Sequence, residues 1–96
     1  MRPSESLQKY QEVIKRTVLA RKACNPRVFG SVLYGGDSAA SDLDLLVDPL
    51  PGATLFDLGG LQVDLEEILG IPVDVLTPDD LPETFRQRIL QEAREL

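Results

Sequence analysis

The stretch Gly30–Val47, GSVLYGGDSAASDLDLLV, joins a Gly-Ser pair to a Ser-Asp-Leu-Asp run that enters an apolar segment. Asp42 and Asp44 stand two positions apart. If the segment from Leu43 forms a strand, both carboxylates therefore leave one face while the apolar side chains leave the other. The pattern predicts a pair of acidic side chains at the start of a strand.

A further acidic position lies in the later segment from Ile71 to Leu76. Ile71, Val73 and Val75 would share one face of a strand there, which leaves Asp74 on the opposite face. Two carboxylates held about 5 Å apart repel by roughly 3 kcal/mol at an effective dielectric of about 20, so three of them brought together favour a bound cation. Ligands that are all oxygen indicate Mg²⁺ or Mn²⁺.

The Gly-Ser pair offers complementary chemistry. Gly30 and Ser31 close a short apolar run and precede a predicted short helix from Val32. Glycine lets the backbone approach a phosphate, a serine hydroxyl can donate to it, and free amides at a helix N-terminus favour negative charge. A phosphate site beside a cation site indicates nucleotide chemistry.

These residues resemble the minimal nucleotidyltransferases of the DNA polymerase β-like superfamily, and the resemblance covers nearly the whole chain. The family signature is Gly-Ser, a glycine four residues after that serine, Ser-Asp-x-Asp-Leu, and a third carboxylate on the next strand. The matching positions are Gly30, Ser31, Gly35, Ser41, Asp42, Asp44, Leu45 and, within PVDVLTP, Asp74. Either motif alone is weak evidence, whereas the combination at this spacing is fairly specific.

The resemblance implies an α/β (α+β) polymerase β-like fold, with a small three-stranded mixed sheet covered by about four helices, in a single domain over residues 1–96. It also implies two Mg²⁺ ions, with Mn²⁺ as the alternative. The expected catalytic and metal-binding residues are Asp42, Asp44 and Asp74. The expected nucleotide-binding residues are Gly30, Ser31, Gly35 and Ser41.

Members of the resembled family are commonly encoded beside a HEPN ribonuclease, bind it as its antitoxin and transfer AMP from ATP to one of its tyrosines. By resemblance, the substrates here are ATP or another NTP and a HEPN-domain protein. Two alternatives stay open: a catalytically weak or inactive module that neutralises a HEPN partner by binding alone, and a transferase for a small molecule. The first is favoured by the absence of Lys and Arg between Arg27 and Arg86. The second usually needs additional substrate-binding structure.

The composition narrows the function classes. Ninety-six residues suit one core, and a net charge of -6 argues against direct binding to nucleic acid or to an anionic membrane. A lone cysteine, Cys24, cannot form an internal disulfide, and no apolar run reaches about 20 residues, so a cytoplasmic location is expected. Because histidine is absent, proton transfer falls to a carboxylate, water or the substrate, and histidine-ligated zinc is excluded.

The remaining patterns predict the element order α-β-α-β-α-β-α. One helix is expected from Ser4 to a stop at Asn25-Pro26, a strand over Arg27–Gly30, and a helix that begins late or bends at Gly59-Gly60. A last helix is expected to run to about Glu95 with Phe85, Ile89 and Ala93 on its buried side. Asp48 is interpreted as a turn residue, and the expected solvent-facing acids are Asp64, Glu66 and Glu67.

Overall fold

The computed structural model describes residues 3–30 and 42–96. Within these ranges the helices are α1 (Pro3–Lys9), α2 (Gln11–Ala20), α3 (Leu55–Leu69) and α4 (Glu83–Glu92), with a 3-10 turn at Pro78–Asp80. The strands are β1 (Ala23–Phe29), β2 (Leu43–Pro49), β3 (Val73–Leu76) and β4 (Arg94–Glu95). None of the helices in the described ranges is long and apolar enough to cross a membrane.

The strands form one mixed sheet in the order β3-β2-β1-β4. β1 runs antiparallel to both β2 and β4, whereas β2 and β3 are parallel. The mixed α+β fold is as expected, but the count of three strands is wrong. The fourth strand forms where the last helix was expected to continue, because Ala93 is extended and the next two residues pair with Arg27 and Val28 at the edge of β1.

The core lies on one face of the sheet, where α2 and α3 pack. Leu43, Leu45 and Val47 of β2 are fully buried there, as predicted, and Leu46 is also fully buried although it lies on the face of Asp44. The helices contribute Ile14 and Val18 from α2 and Leu61, Leu65 and Leu69 from α3. Each such side chain contributes about 1.5 to 3 kcal/mol through burial, so this layer fixes how β2 lies on its neighbours.

The N-terminal prediction of one helix is wrong in its extent. The chain forms α1 and α2 with Tyr10 between them, and then turns at Lys22, whose φ is 58°. Asn25-Pro26 lies inside β1 instead of ending a helix, so the strand begins at Ala23 and not at Arg27. The pairing with β2 is irregular between Cys24 and Arg27, which is where a strand tolerates proline.

The third helix also starts earlier than predicted. Thr54 and Asp57 form a capping box, with each side chain bonded to the other residue's backbone N–H, and this cap offsets the cost of Gly59-Gly60. Gly60 has a packing role, because a Cβ there would lie 2.6 Å from Nη1 of Arg21. The helix ends at Gly70, which takes the left-handed conformation (φ 68°) that glycine adopts without strain.

The expected buried side of the last helix is not buried. No residue of α4 is buried, and Phe85 is 51% exposed. The helix is held at its ends: Arg86 donates to the carbonyls of Pro78 and Leu81, and the chain after it joins the sheet as β4. The spacing of Phe85 and Ile89 identifies a shared helical face, and the face stays largely uncovered.

The end of α2 is joined to α3 by an ion pair. Nε of Arg21 donates to Oδ2 of Asp64 at 2.7 Å, so Asp64 has a structural partner and is not merely a solvent-facing acid. This hydrogen bond and the positive charge lower the pKa of Asp64. The pKa of Asp57 is lowered mainly by the hydrogen bond from the Thr54 backbone. Both carboxylates therefore favour the folded state in their ionised form.

These two lowered pKa values predict a loss of stability in acid. The contribution is present above the ordinary pKa of 3.8 and is lost as the pH falls through the lower folded-state values. We expect the melting temperature of Asp64→Asn to be lower than that of the wild type at pH 7, with a smaller further decline below about pH 4. Thermal unfolding between pH 2 and 7 measures this, with Glu67→Gln on the same helix as control. Parallel profiles for all three proteins would contradict it.

Candidate active site

The parallel pairing of β2 with β3 places Asp44 directly beside Asp74. The next residues along, Leu45 and Val75, are also paired, and they face the core. Because side chains alternate between the faces of a sheet, the two aspartates share the opposite face, on strands about 4.8 Å apart. Asp44 is partly buried and Asp74 is exposed. The structure thus brings together two of the three aspartates expected from the sequence.

Electrostatic repulsion acts on this pair. Burial raises the pKa of Asp44, and the negative charges of Asp74 and then Asp42 raise it further. Asp42 is exposed and lies immediately before β2, close enough for its charge to act on Asp44. A cation among these carboxylates would convert the repulsion into attraction.

The donor set matches the chemistry of an oxygen-preferring cation. Asp42, Asp44 and Asp74 all offer carboxylate oxygens, as Mg²⁺ and Mn²⁺ require. Among residues 3–30 and 42–96, however, no three Asp, Glu or Cys side chains are already gathered closely enough to hold a metal ion. The described arrangement is therefore a pair in fixed backbone register with a third carboxylate nearby.

Gly30 lies beside Asp44, which forms the acidic pair with Asp74. It has a φ of 77° and follows Phe29, the residue of β1 that pairs with Asp44. A Cβ placed on Gly30 would collide with Oδ2 of Asp44. Gly30 thus leaves room for the Asp44 carboxylate, a role that its predicted part in phosphate binding did not reveal.

The other predicted phosphate-binding residues belong to the loop that follows Gly30. Ser31, Gly35 and Ser41 lie outside the described residues, as does the short helix expected from Val32. Their assignment to nucleotide binding remains a prediction from the sequence.

Asp48 shares the face of Asp44 but lies at the other end of β2. Oδ1 accepts from Nη2 of Arg27 at 2.7 Å, and Oδ2 accepts from the side-chain amide of Asn25 at 3.0 Å. These bonds join β2 to β1. Asp48 is therefore a cross-strand structural residue and not a member of the acidic pair, although it is not the turn residue that the sequence suggested.

Two side chains of α3 bond to the backbone of β3 on either side of Asp74, and the sequence did not predict these bonds. Glu66 accepts a hydrogen bond from the backbone N–H of Val73 at 3.0 Å, and Gln62 accepts one from Val75 at 3.2 Å. The prediction that Glu66 simply faces solvent is therefore wrong. Their four-residue spacing on α3 was the only signal, and it acquires meaning only when the helix lies along β3.

Comparison with known proteins identifies the family of this chain. The sequence model of the nucleotidyltransferase domain family matches residues 26–96. A protein of Methanocaldococcus jannaschii, provisionally named as a protein adenylyltransferase, is 42% identical over 66 residues, which cover 69% of this chain and 71% of that protein. The chain therefore belongs to the nucleotidyltransferase domain family and is a nucleotidyltransferase.

Solved structures narrow the class. One described provisionally as a minimal nucleotidyltransferase has a TM-score of 0.86 and 38% identity, covering 97% of this chain and 95% of that one. This likeness confirms the identification with the minimal nucleotidyltransferases. A structure described as a toxin–antitoxin with AMP-PNP shares the fold, with a TM-score of 0.66, 17% identity and coverage of 84% of this chain and 70% of that one.

The contact between Gly30 and Asp44 can be tested against a matched glycine. Gly30 and Gly52 both have positive φ, but nothing lies within 4 Å of a Cβ added at Gly52. We expect Gly52→Ala to lower the free energy of unfolding by about 1 to 2 kcal/mol through backbone strain alone, and Gly30→Ala to lower it further. Urea denaturation measures both losses.

The excess loss in Gly30→Ala should disappear when Asp44→Ala is combined with it, because the collision then has no partner. Equal losses in the two single glycine variants, or an excess that persists in the double variant, would show that the Asp44 carboxylate does not occupy the space left by Gly30.

Proposed function

We propose that this chain transfers AMP from ATP to a hydroxyl of a partner protein, and that the partner is a HEPN-domain toxin whose tyrosine accepts the AMP. The single observation that carries the chemistry is the register of Asp44 with Asp74 beside Gly30, whose lack of a Cβ leaves room for the Asp44 carboxylate. This geometry places carboxylate oxygens of two neighbouring strands side by side, next to the Gly30 backbone.

In the proposed reaction, the acceptor oxygen forms a new bond to the α-phosphorus of ATP while the bond from that phosphorus to the bridging oxygen breaks. Pyrophosphate leaves with the bond's electron pair. Asp74 is exposed on the active face and would accept the proton of the acceptor hydroxyl. Gly30 and Ser31 would bind the β- and γ-phosphates through backbone N–H groups and the serine hydroxyl.

Divalent cations are part of this proposal. Asp42, Asp44 and Asp74 would hold two Mg²⁺ ions, with Mn²⁺ as a substitute, and the ions when bound neutralise charge on the attacking and leaving oxygens. The fit is supported by the oxygen-only donor set and by the raised pKa of Asp44, which burial and then the negative charges of Asp74 and Asp42 produce.

The protein acceptor is supported by relatives. The Methanocaldococcus jannaschii protein carries the provisional name protein adenylyltransferase, and a neighbour with the same fold belongs to a toxin–antitoxin structure containing AMP-PNP. The chain also presents apolar side chains suited to a protein contact, since Leu55 and Phe56 at the start of α3 are 85% and 90% exposed. An antitoxin role follows from modification of the toxin, from binding it, or from both.

A second candidate is a module that neutralises its partner by binding alone. Residues 28–85 contain no Lys or Arg, and the flanking arginines are engaged elsewhere. Arg27 bonds to Asp48 at the far end of β2, and Arg86 bonds to the carbonyls of Pro78 and Leu81. Positive charge for the phosphates would thus come from metal ions, from the remaining basic residues or from the partner.

Substitution of the acidic pair separates the two candidates. Asp44→Asn and Asp74→Asn should each reduce AMP transfer to a co-purified HEPN partner by at least about 100-fold, because each removes a ligand and a charge. The melting temperature of Asp44→Asn should stay level or rise, since the fold raises the pKa of this carboxyl. Transfer is measured with radiolabelled ATP.

Asp48→Asn is the matched control, because it removes a carboxylate from the same strand and face while disturbing only the bonds to Arg27 and Asn25. It should transfer AMP normally and melt at a lower temperature. Full activity in both Asp44→Asn and Asp74→Asn would exclude the proposed site. An inactive wild type that still binds and neutralises the partner would establish the second candidate.

A further inference from the structure

Within the described sheet, β3 is an outer strand with only β2 beside it. Successive backbone N–H groups of a strand point to opposite sides. The N–H groups of Val73 and Val75 point away from β2, because both are bonded to side chains of α3. The peptide of Asp74, between them, faces β2. An outer strand normally leaves its outward groups to solvent or to another chain.

Two side chains of α3 take the place of a missing neighbouring strand. Oε2 of Glu66 lies 3.0 Å from the nitrogen of Val73, and Oε1 of Gln62 lies 3.2 Å from that of Val75. Four residues of helix span about 6 Å and two residues of strand about 6.6 Å, so the two repeats match over this length. The acceptors can therefore bind both outward N–H groups that flank Asp74 without distorting either element.

We infer that Gln62 and Glu66 are positioning residues for Asp74, and that they hold its carboxylate in register with Asp44 by fixing the backbone on both sides of it. The inference rests on the proposed function, in which Asp74 binds a cation. On the inner side, the N–H of Leu43 donates to the carbonyl of Pro72 at 3.0 Å, so β3 is held along both edges.

The acidic pair gives such support a further role. The negative charge of Asp74 acts on Asp44, so repulsion pushes β3 away from β2 whenever no cation lies between them. β3 has four residues and, within the described sheet, one neighbouring strand, so it resists that push through its pairing with β2 and the burial of Val73. Bonds from α3, whose Leu61, Leu65 and Leu69 are anchored in the core, hold the strand against it.

The test measures Mn²⁺ affinity and amide hydrogen exchange in the same proteins. Gln62→Met with Glu66→Met removes both acceptors while keeping side-chain length, and each single variant serves if the double variant does not fold. We expect exchange at Val73 and Val75 to accelerate at least about tenfold, and the Kd for Mn²⁺ to rise about tenfold, as for other residues that orient metal ligands. Gln62→Glu and Glu66→Gln keep an acceptor and should restore wild-type values.

Glu67→Met is the control, because it removes a neighbouring charge from α3 at an exposed position. Unchanged exchange at Val73 and Val75 would overturn the inference, as would faster exchange with unchanged Mn²⁺ affinity, which would make the contact structural only. The Asp74→Asn variant distinguishes failure of the inference from failure of the proposed function. If it abolishes Mn²⁺ binding and the methionine variants do not weaken it, the inference alone fails. If Asp74→Asn binds Mn²⁺ like the wild type, the proposed function fails and the inference with it.

Discussion

The parallel register of β2 on β3 is the constraint on which the remaining structure depends. The same pairing that sets Leu43 against Val73 and Leu45 against Val75 on the core face sets Asp44 against Asp74 on the other. Because side chains alternate along a strand, a slip of one residue would expose the apolar set and bury the acids. The core and the candidate active site are therefore specified by one choice of register.

The free energies of carboxylate repulsion and of apolar burial indicate which face of the sheet determines that register. Two carboxylates on adjacent strands repel by roughly 3 kcal/mol at an effective dielectric of about 20, and less when exposed to solvent. Leu43, Leu45 and Val73 are buried on the opposite face, and each contributes about 1.5 to 3 kcal/mol. Apolar burial thus exceeds the repulsion, so the fold can hold two like charges together. Gly30 adds the space that the Asp44 carboxylate occupies.

Local alternation in the sequence predicted which residues form this site, but none of the hydrogen bonds that hold its strands in place. The pattern around Asp44 and around Asp74 specified which face each would occupy, and the resemblance to a family placed the third carboxylate on the next strand. The parallel pairing of the two strands is known only from the structure. The bonds from Gln62 and Glu66 depend on a helix lying along a strand, which no short-range pattern encodes. Likewise, the spacing of Phe85 and Ile89 identifies one helical face but not whether anything covers it. The strand at Arg94–Glu95 is too short to have a period at all.

The charge distribution gives the proposed chemistry a condition that the fold alone does not satisfy. ATP is anionic, and the acidic pair would repel it, in a chain whose net charge is -6 and whose residues 28–85 contain no Lys or Arg. Arg21, Arg27 and Arg86 already bond to partners within the chain. Under the proposed function, nucleotide binding would then depend on bound cations, on the remaining basic residues or on positive charge from a partner. Under the proposed function, a partner that supplies such charge would also supply the acceptor, so the site would reach full affinity for ATP only where there is something to modify.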